Sequence, residues 1–139
     1  VIVYDTVGAD EGALVAEALA VRGHSVIFVT PHEMAMPQGG ELHRVELPEM
    51  LYRKVDRVIV RGMIGGVEDG VAVVATPEGD LIDEIEFNTL VAATPLAPDL
   101  RLVPALDKLG LAYQVVGDAL APRFGMQAFK TGYEAGLAV

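Results

Sequence analysis

The first part of the chain alternates between short apolar runs and a segment with helical spacing. Residues Val1–Tyr4 form an apolar run of the β type, and from Ala13 onward apolar side chains recur at the spacing of a helix. Gly23 stands where a helix C-cap is expected, and Ser25–Val29 is a second β-branched run. This pattern predicts a β-α-β unit with parallel strands and a right-handed crossover.

The middle of the chain is rich in short β-type runs separated by turn signals. Before them we expect a loop over Pro31–Gly40 and a short helix over Glu49–Lys54. The runs beyond predict a small antiparallel meander. The strand-like runs are Val58–Val60, Val67, Val71–Ala75 and Ile82–Phe87, and the turns are Gly65-Gly66, Asp69-Gly70 and Pro77–Asp80.

The last part of the chain returns to single strands and helices. We predict a buried strand over Thr89–Ala93, a helix over Leu102–Leu109, a strand over Ala112–Val116 and a final helix over Phe124–Leu137. The whole pattern predicts one α/β domain over residues 1–139, with a three-layer, Rossmann-like architecture. A central parallel sheet would carry the antiparallel β-meander on one face.

Composition narrows the classes of partner and chemistry. A formal charge of −10 opposes nucleic-acid binding, and no apolar run is long enough for a membrane span, so we expect a cytoplasmic protein. The absence of cysteine removes disulfides, thiolate nucleophiles and iron–sulfur ligands from this chain. Because the chain starts at Val1 inside a strand-like run, we expect a piece of a longer protein or a processed product.

Three stretches resemble one family of flavoproteins. They are VIVYDTVGADEGALVAEALAVRGHSVIFVT, FNTLVAATPLAPDLRLVPAL and YQVVGDALAPRFGMQAFKTGYEAG. They are similar to the C-terminal nucleotide-binding (NAD/FAD-type) domain of the trimethylamine dehydrogenase and 2,4-dienoyl-CoA reductase group of NADH:flavin oxidoreductases. The resemblance implies that residues 112–139 are the segment that returns to the flavin-type domain.

The resemblance also implies which residues contact a cofactor. In such families a Gly-Asp pair after a strand brings a carboxylate to flavin hydroxyls and a backbone amide to phosphate, and here that pair is Gly117 and Asp118. In the turn after the first strand, the candidate cofactor-binding residues are Gly8 and Gly12. No catalytic or metal-binding residue is expected in this chain.

The nicotinamide site departs from the working pattern of the family. Val7, Ala9 and Gly12 take the three glycine positions of a Gly-x-Gly-x-x-Gly turn, so only the third glycine remains. Asp10 and Glu11 add negative charge at the helix end that would attract a phosphate. After the second strand, Thr30 and Pro31 stand where an acidic residue would bind a ribose. Pro95 stands where the family has glycine.

We therefore expect a degenerate nicotinamide-type domain that does no chemistry alone. The parent would be a flavin-dependent oxidoreductase acting on amines or enoyl compounds, with FMN, and with FAD or ADP and an iron–sulfur cluster as further cofactors of the group. The expected partners are the remainder of the parent flavoprotein and a second copy in a homo-oligomer. The alternatives are a functional NAD(P)H-binding domain and a purely structural interaction module.

Other interpretations of single residues are weaker. Asp5 at a strand end is typical of a response-regulator phosphoacceptor, but the acidic pair and lysine of that site are not evident. A cobalamin site would want His where Val7 stands. The three histidines lack metal-ligand spacing, and we expect three methionines to be packing residues. These residues are His24, His32 and His43, and Met34, Met36 and Met50.

Overall fold

The computed structural model describes residues 1–39 and 46–138. The chain divides into two units, Val1–Thr94 (unit 1) and Pro95–Val139 (unit 2). The elements of unit 1 are β1 (Ile2–Asp5), α1 (Asp10–Val21), β2 (Ile27–Val29), α2 (Glu46–Lys54), β3 (Arg57–Ile59), β4 (Met63–Glu68), β5 (Val71–Ala75), β6 (Leu81–Glu86) and β7 (Leu90–Ala93). Unit 2 contains α3 (Val103–Lys108), a 3₁₀ helix (Gly117–Ala119) and α4 (Gly125–Leu137). Whether residues 1–139 form one domain, as the sequence predicts, is not tested by this division and stays a prediction.

A parallel sheet with the order β3-β2-β1-β7 forms the centre of unit 1. Its strands pair in parallel on both sides of β1, with Val3 opposite Phe28 in β2 and opposite Val91 in β7. Ile2 and Val3 point to opposite faces and are both fully buried, as expected for a parallel sheet that is covered on both faces. The predicted α/β class is therefore confirmed.

The two faces of this sheet are covered by different elements. On one face, Val3 and Phe28 pack in a core cluster with Ala13 and Ala16 of α1 and Leu51 of α2. On the other face, the sheet packs against the antiparallel meander in a second cluster: Ile2, Val29, Ile59, Ala72, Val74 and Ile85. Helices, parallel sheet and meander are the three layers that the pattern predicts.

The meander contains β4, β5 and β6, and two of its predicted details are wrong. The run at Val58–Val60 belongs to the parallel sheet instead, because β3 pairs in parallel with β2 and its Ile59 lies in the core between sheet and meander. Gly65-Gly66 is not a turn but lies inside β4, where the register shifts between Ile64 and Gly66. Glycine commonly marks such a bulge in a strand. The predicted Asp69-Gly70 turn is confirmed, since both residues have positive φ, as a type I′ hairpin requires.

The predicted strand over Ala112–Val116 is wrong. These residues form no strand, although Val116 has an extended backbone with φ −139° and ψ 167°. A strand needs a neighbouring strand for its backbone hydrogen bonds, and the described residues supply none here. The predicted helices over Leu102–Leu109 and Phe124–Leu137 are confirmed as α3 and α4.

The helix predicted over Glu49–Lys54 is confirmed as α2, and it begins earlier, at Glu46. Pro48 is therefore in the first turn of the helix, where its missing N–H costs nothing. The loop predicted over Pro31–Gly40 is observed up to Gly39, and Gly40 lies outside the described residues, as does His43. Among the described helices, none combines the length and the apolar character needed to cross a bilayer.

Candidate functional site

The turn after β1 lies at the carboxyl ends of the parallel strands, where ligands bind in open α/β sheets. Its geometry is set by Asp5, the last residue of β1, which is only 1% exposed. The Asp5 Oδ1 atom accepts hydrogen bonds from the backbone N–H groups of Val7 and Gly8, each at 3.0 Å. The Val7 and Gly8 amides are therefore already used by a side chain of the same turn.

The second carboxylate oxygen of Asp5 is buried and has no hydrogen-bond partner among the described residues. Burial raises the pKa of Asp5, because an apolar environment disfavours the charged form. The two backbone N–H groups and the nearby His32 oppose this rise, whereas Glu11 adds to it. Asp5 is thus a carboxyl group held in place by geometry and disfavoured as a charge by its surroundings.

Gly8 and Gly12, two of the predicted cofactor-binding residues, both lie against Asp5 or its turn. Gly8 has φ +73°, a conformation that favours glycine, and a Cβ there would lie 2.7 Å from His32 Nε2. A Cβ on Gly12 would lie 2.7 Å from both Cβ and Cγ of Asp5. Gly12 therefore lets α1 approach β1 closely, as the third glycine of the dinucleotide turn does. A cofactor-binding role for Gly8 and Gly12 stays a prediction.

The loop after β2 folds over this turn. The Gln38 N–H donates to the Gly8 carbonyl oxygen at 2.8 Å, and His32 Nε2 lies 3.2 Å from the Thr6 carbonyl oxygen. In the same loop, Ala35 and Met36 are 1% and 2% exposed and belong to the core cluster under α1. The loop is therefore part of the packed core. Met36 thus has the packing role predicted for the methionines, while Met34 is 50% exposed.

The ends of the neighbouring strands carry no ribose-binding carboxylate. Thr30 follows β2, is fully buried, and its hydroxyl lies 3.4 Å from the N–H of His32. On the other side of β1, the N–H of Thr6 donates to the carbonyl oxygen of Ala93, the last residue of β7. The Ala93-Thr94-Pro95 stretch that departs from the family pattern therefore begins directly beside the turn.

Gly117 and Asp118, the other two candidate residues, belong to unit 2. They begin the 3₁₀ helix, with Gly117 at φ +61°. The Gly117 N–H donates to the Thr131 hydroxyl of α4 at 2.9 Å, so this candidate phosphate-binding amide is engaged within unit 2. The Asp118 side chain is exposed. The pair does not follow a strand here, and its predicted contact with a flavin stays a prediction.

The role of Asp5 in closing the turn is missing from the sequence predictions, which consider this residue only as a phosphoacceptor. The available signal is an aspartate followed within three residues by glycine, since Asp side chains commonly accept from backbone N–H groups two or three residues later. Within residues 1–39 and 46–138, no group of three or more His, Asp or Glu side chains could hold a metal ion.

A shallow hollow of about 320 Å³ opens at the opposite end of the parallel sheet, around Val1, His24 and Thr89. It lies at the amino ends of β1, β2 and β7, whereas nucleotides bind at the carboxyl ends in this architecture. We therefore do not assign it to the predicted nucleotide site.

The sequence matches no protein-family model and no curated protein. Solved structures, in contrast, share its fold. Histamine dehydrogenase from Rhizobium sp. 4-9 superposes with a TM-score of 0.70 at 16% identity, covering 96% of this chain and 22% of the dehydrogenase. The 6-hydroxypseudooxynicotine amine oxidase from Pseudomonas geniculata N1 gives a TM-score of 0.72 at 24% identity, covering 97% of this chain and 21% of the oxidase.

A third similar structure is 2-naphthoyl-CoA reductase in complex with 2-naphthoyl-CoA. Its TM-score is 0.75 at 18% identity, with 99% of this chain and 21% of the reductase covered. The chain thus spans about a fifth of the length of each of these three proteins. At these identities the likeness shows the fold: the chain has the fold of a part of each of these three enzymes.

Proposed function

We propose that this chain is the nucleotide-binding-type domain of a flavin-dependent oxidoreductase of the trimethylamine dehydrogenase and dienoyl-CoA reductase group, with a nicotinamide turn closed by its own side chains. The observation that carries the proposal is the pair of hydrogen bonds from the Val7 and Gly8 amides to the buried Asp5 carboxylate. In a working site, amides of this turn face the pyrophosphate of the cofactor. The domain would therefore serve its parent as a structural module.

The packing of the loop after β2 supports a closed site. A dinucleotide reaching Gly8 would have to displace His32 and Pro37, because even a Cβ on Gly8 would lie 2.7 Å and 3.0 Å from atoms of these side chains. Moving the loop would also withdraw Ala35 and Met36 from the core. Removing buried apolar side chains from a core costs several kcal/mol, about as much as the weakest useful ligand affinities supply.

The charges at the start of α1 act in the same direction. Asp10 and Glu11 occupy the first turn of the helix, where a phosphate would otherwise be favoured. Glu11 is exposed, so salt screens its effect, and the pair weakens phosphate binding without blocking it. Steric closure and loss of free amides are the stronger part of the proposal.

The cofactors of the parent would be held outside this chain. An iron–sulfur cluster of the parent needs cysteine ligands, which this chain does not contain. We place the parent's FMN in the same remaining part of the parent. FAD or ADP would contact Asp118 only together with the flavin-type half of the parent, which supplies the main phosphate-binding turn in this group. The substrate class of the parent, amines or enoyl compounds, rests on the resemblance and on the names of the similar structures.

Unit 2 supplies the surface for that association. No described residue in 95–138 is buried, so this unit has no core of its own. On α4, one face carries four large apolar side chains that are each at least 69% exposed: Met126, Phe129, Tyr133 and Leu137. We propose that this face and the Ala112–Val116 segment pack into the flavin-type domain, where the segment forms the strand that it lacks here.

The rival candidate is a working NAD(P)H-binding domain, and one observation favours it. Gly12 keeps the close approach of helix to strand that dinucleotide folds use. Close packing is needed for the fold whether or not a cofactor binds, so this observation alone does not supply the amides or the space for a pyrophosphate.

Titration of the chain with NADH and NADPH, followed by cofactor fluorescence, tests the proposal. We expect no saturable binding below millimolar concentration, and calorimetry with FAD or ADP should likewise give weak or no binding. A dissociation constant in the low micromolar range for NADH or NADPH would overturn the closed site in favour of the working domain. Micromolar binding of FAD to the isolated chain would contradict the need for the parent's other half.

A further inference from the structure

The turn after β1 has the features of an anion-binding site that is already filled. Two successive backbone N–H groups, from Val7 and Gly8, converge on a single oxygen at 3.0 Å each. Converging backbone amides of this kind form concave sites for oxyanions. Here the oxyanion is the carboxylate of Asp5, which belongs to the same chain.

The space around this carboxylate is closed on the side of the helix. The side chain is 1% exposed, and its second oxygen has no hydrogen-bond partner in the described part of the chain. Gly12 is so close that a Cβ on it would lie 3.1 Å from that second oxygen. On the side of α1, therefore, there is no room for a group larger than the carboxyl group of Asp5.

We propose that the Asp5 carboxyl group fills an oxyanion site in this turn, and that this side chain, more than the charges of Asp10 and Glu11, keeps external anions out. The proposal rests on the proposed function, of which it names the blocking residue. It also assigns the ligand class of the emptied site, which is a small carboxylate such as formate or acetate. A pyrophosphate would still be excluded by the loop after β2.

Two features could keep anions out of this turn: the charges of Asp10 and Glu11, and the buried carboxyl group of Asp5. We expect the second to have the larger effect. The effect of an exposed charge at a helix end is modest and is screened by salt. The buried Asp5 carboxyl group occupies the N–H groups of Val7 and Gly8. An external anion could bind them only by displacing it, because each N–H can donate to only one strong acceptor at a time. Salt should therefore leave the closure intact in the wild-type chain.

Size-matched chemical rescue tests the proposal. Asp5→Ala removes the carboxyl group, which formate can replace, and Asp5→Gly also removes the Cβ, which acetate can replace together with the carboxyl group. We expect formate to stabilise Asp5→Ala more than acetate does, and acetate to stabilise Asp5→Gly at least as well as formate. At ten times the dissociation constant, the Tm should rise by about 4 °C over sodium chloride of equal ionic strength.

Asp56 provides a matched control. Its carboxylate also accepts a backbone hydrogen bond, from the N–H of Val26 at 2.8 Å, but its side chain is exposed. Asp56→Gly and the wild-type chain should therefore show only the general effect of the salt, equal for both anions. The same holds for the double variant Asp10→Asn and Glu11→Gln, which keeps Asp5 in its place.

The outcomes separate this inference from the proposed function. The inference would be overturned if the Asp5 variants fold but formate and acetate do not raise their Tm in the order of size given above. It would also be overturned if these anions raised the Tm of Asp56→Gly by as much. If the variants unfold in every salt, amide NMR of the wild-type chain decides: the Val7 and Gly8 N–H signals should both follow the titration of Asp5, and their failure to do so would end the proposal. Micromolar NADH binding by the wild-type chain would instead overturn the proposed function.

Discussion

The two units of this chain differ in how their apolar side chains are used. In unit 1, two core clusters cover both faces of the parallel sheet, and aromatic Phe28 is fully buried. In unit 2, the described residues include no buried side chain, and aromatic Phe129 is 80% exposed. A segment with many large apolar residues and no core is typical of a surface that is completed by another protein or domain. The core that stabilises the fold thus lies in unit 1, whereas we propose that the exposed apolar side chains of unit 2 serve association.

The largest expected effect compares the two phenylalanines. Phe28→Ala should lower the free energy of unfolding by about 3 to 5 kcal/mol, because it leaves a cavity in the core under α1. Phe129→Ala should change it by less than about 0.5 kcal/mol, because its side chain packs against little. Denaturant unfolding followed by circular dichroism measures both. If the two variants lost equal unfolding free energy, unit 2 would have a core of its own, and the contrast between the two units would be wrong.

The next effect compares two glycines within helices. Gly12→Ala should cost about 1 to 3 kcal/mol, because the new Cβ would lie 2.7 Å from Asp5 and force α1 away from β1. In α4, Gly132→Ala meets no atom within 4 Å and should stabilise the helix by up to about 1 kcal/mol. Thermal unfolding of both variants checks the opposite signs. A tolerated Gly12→Ala would show that the close packing on Asp5 is not required.

A smaller, pH-dependent effect concerns Asp5. Its pKa is raised in the folded chain by burial, so the folded state holds the proton more tightly than the unfolded state. This contribution to stability is fully present below the unfolded pKa of about 3.8 and is lost as pH rises through the folded pKa. Each unit of difference between the two pKa values corresponds to about 1.4 kcal/mol.

Asp5→Asn isolates this contribution, since the amide keeps an acceptor oxygen for Val7 and Gly8 but does not titrate. Relative to Asp5→Asn, the wild-type chain should lose stability as pH rises from 3 to 7. Carboxyl groups whose pKa is lowered act in the opposite direction, and they are present in both proteins: Asp56, Glu78, Asp83 and Asp99. His32 and Glu11, which influence the pKa of Asp5, are likewise present in both proteins. A difference that is constant with pH would contradict the raised pKa.

The smallest effect on stability, but a direct test of unit 2, concerns α4. Phe129→Lys should leave the unfolding free energy within about 0.5 kcal/mol of the wild-type value while it reduces self-association of the isolated chain. Light scattering over a range of concentrations measures the association, and amide exchange over residues 112–137 measures how firmly this part is held. A monodisperse wild-type monomer with slow exchange throughout 112–137 would contradict both the exposed docking face and the missing strand.

Local patterns predicted most of unit 1 correctly. The β-α-β unit, the Asp69-Gly70 hairpin and the strand over Thr89–Ala93 follow from spacing and turn chemistry, which depend on neighbouring residues. The errors arise where the partner of a strand is distant in sequence. Val58–Val60 looks like any other β run, and only pairing with β2 places β3 in the parallel sheet.

The candidate site shows the same limit. The sequence by itself determined which glycines the turn after β1 retains and which charges begin α1, because these are properties of adjacent residues. Only the tertiary structure decided that the Asp5 carboxylate takes the turn's amides and that Ala35 and Met36 carry the loop into the core over Gly8. It also decided that Ala112–Val116 stays unpaired. Burial and strand pairing depend on what other segments bring alongside, and no local pattern of residues contains that information.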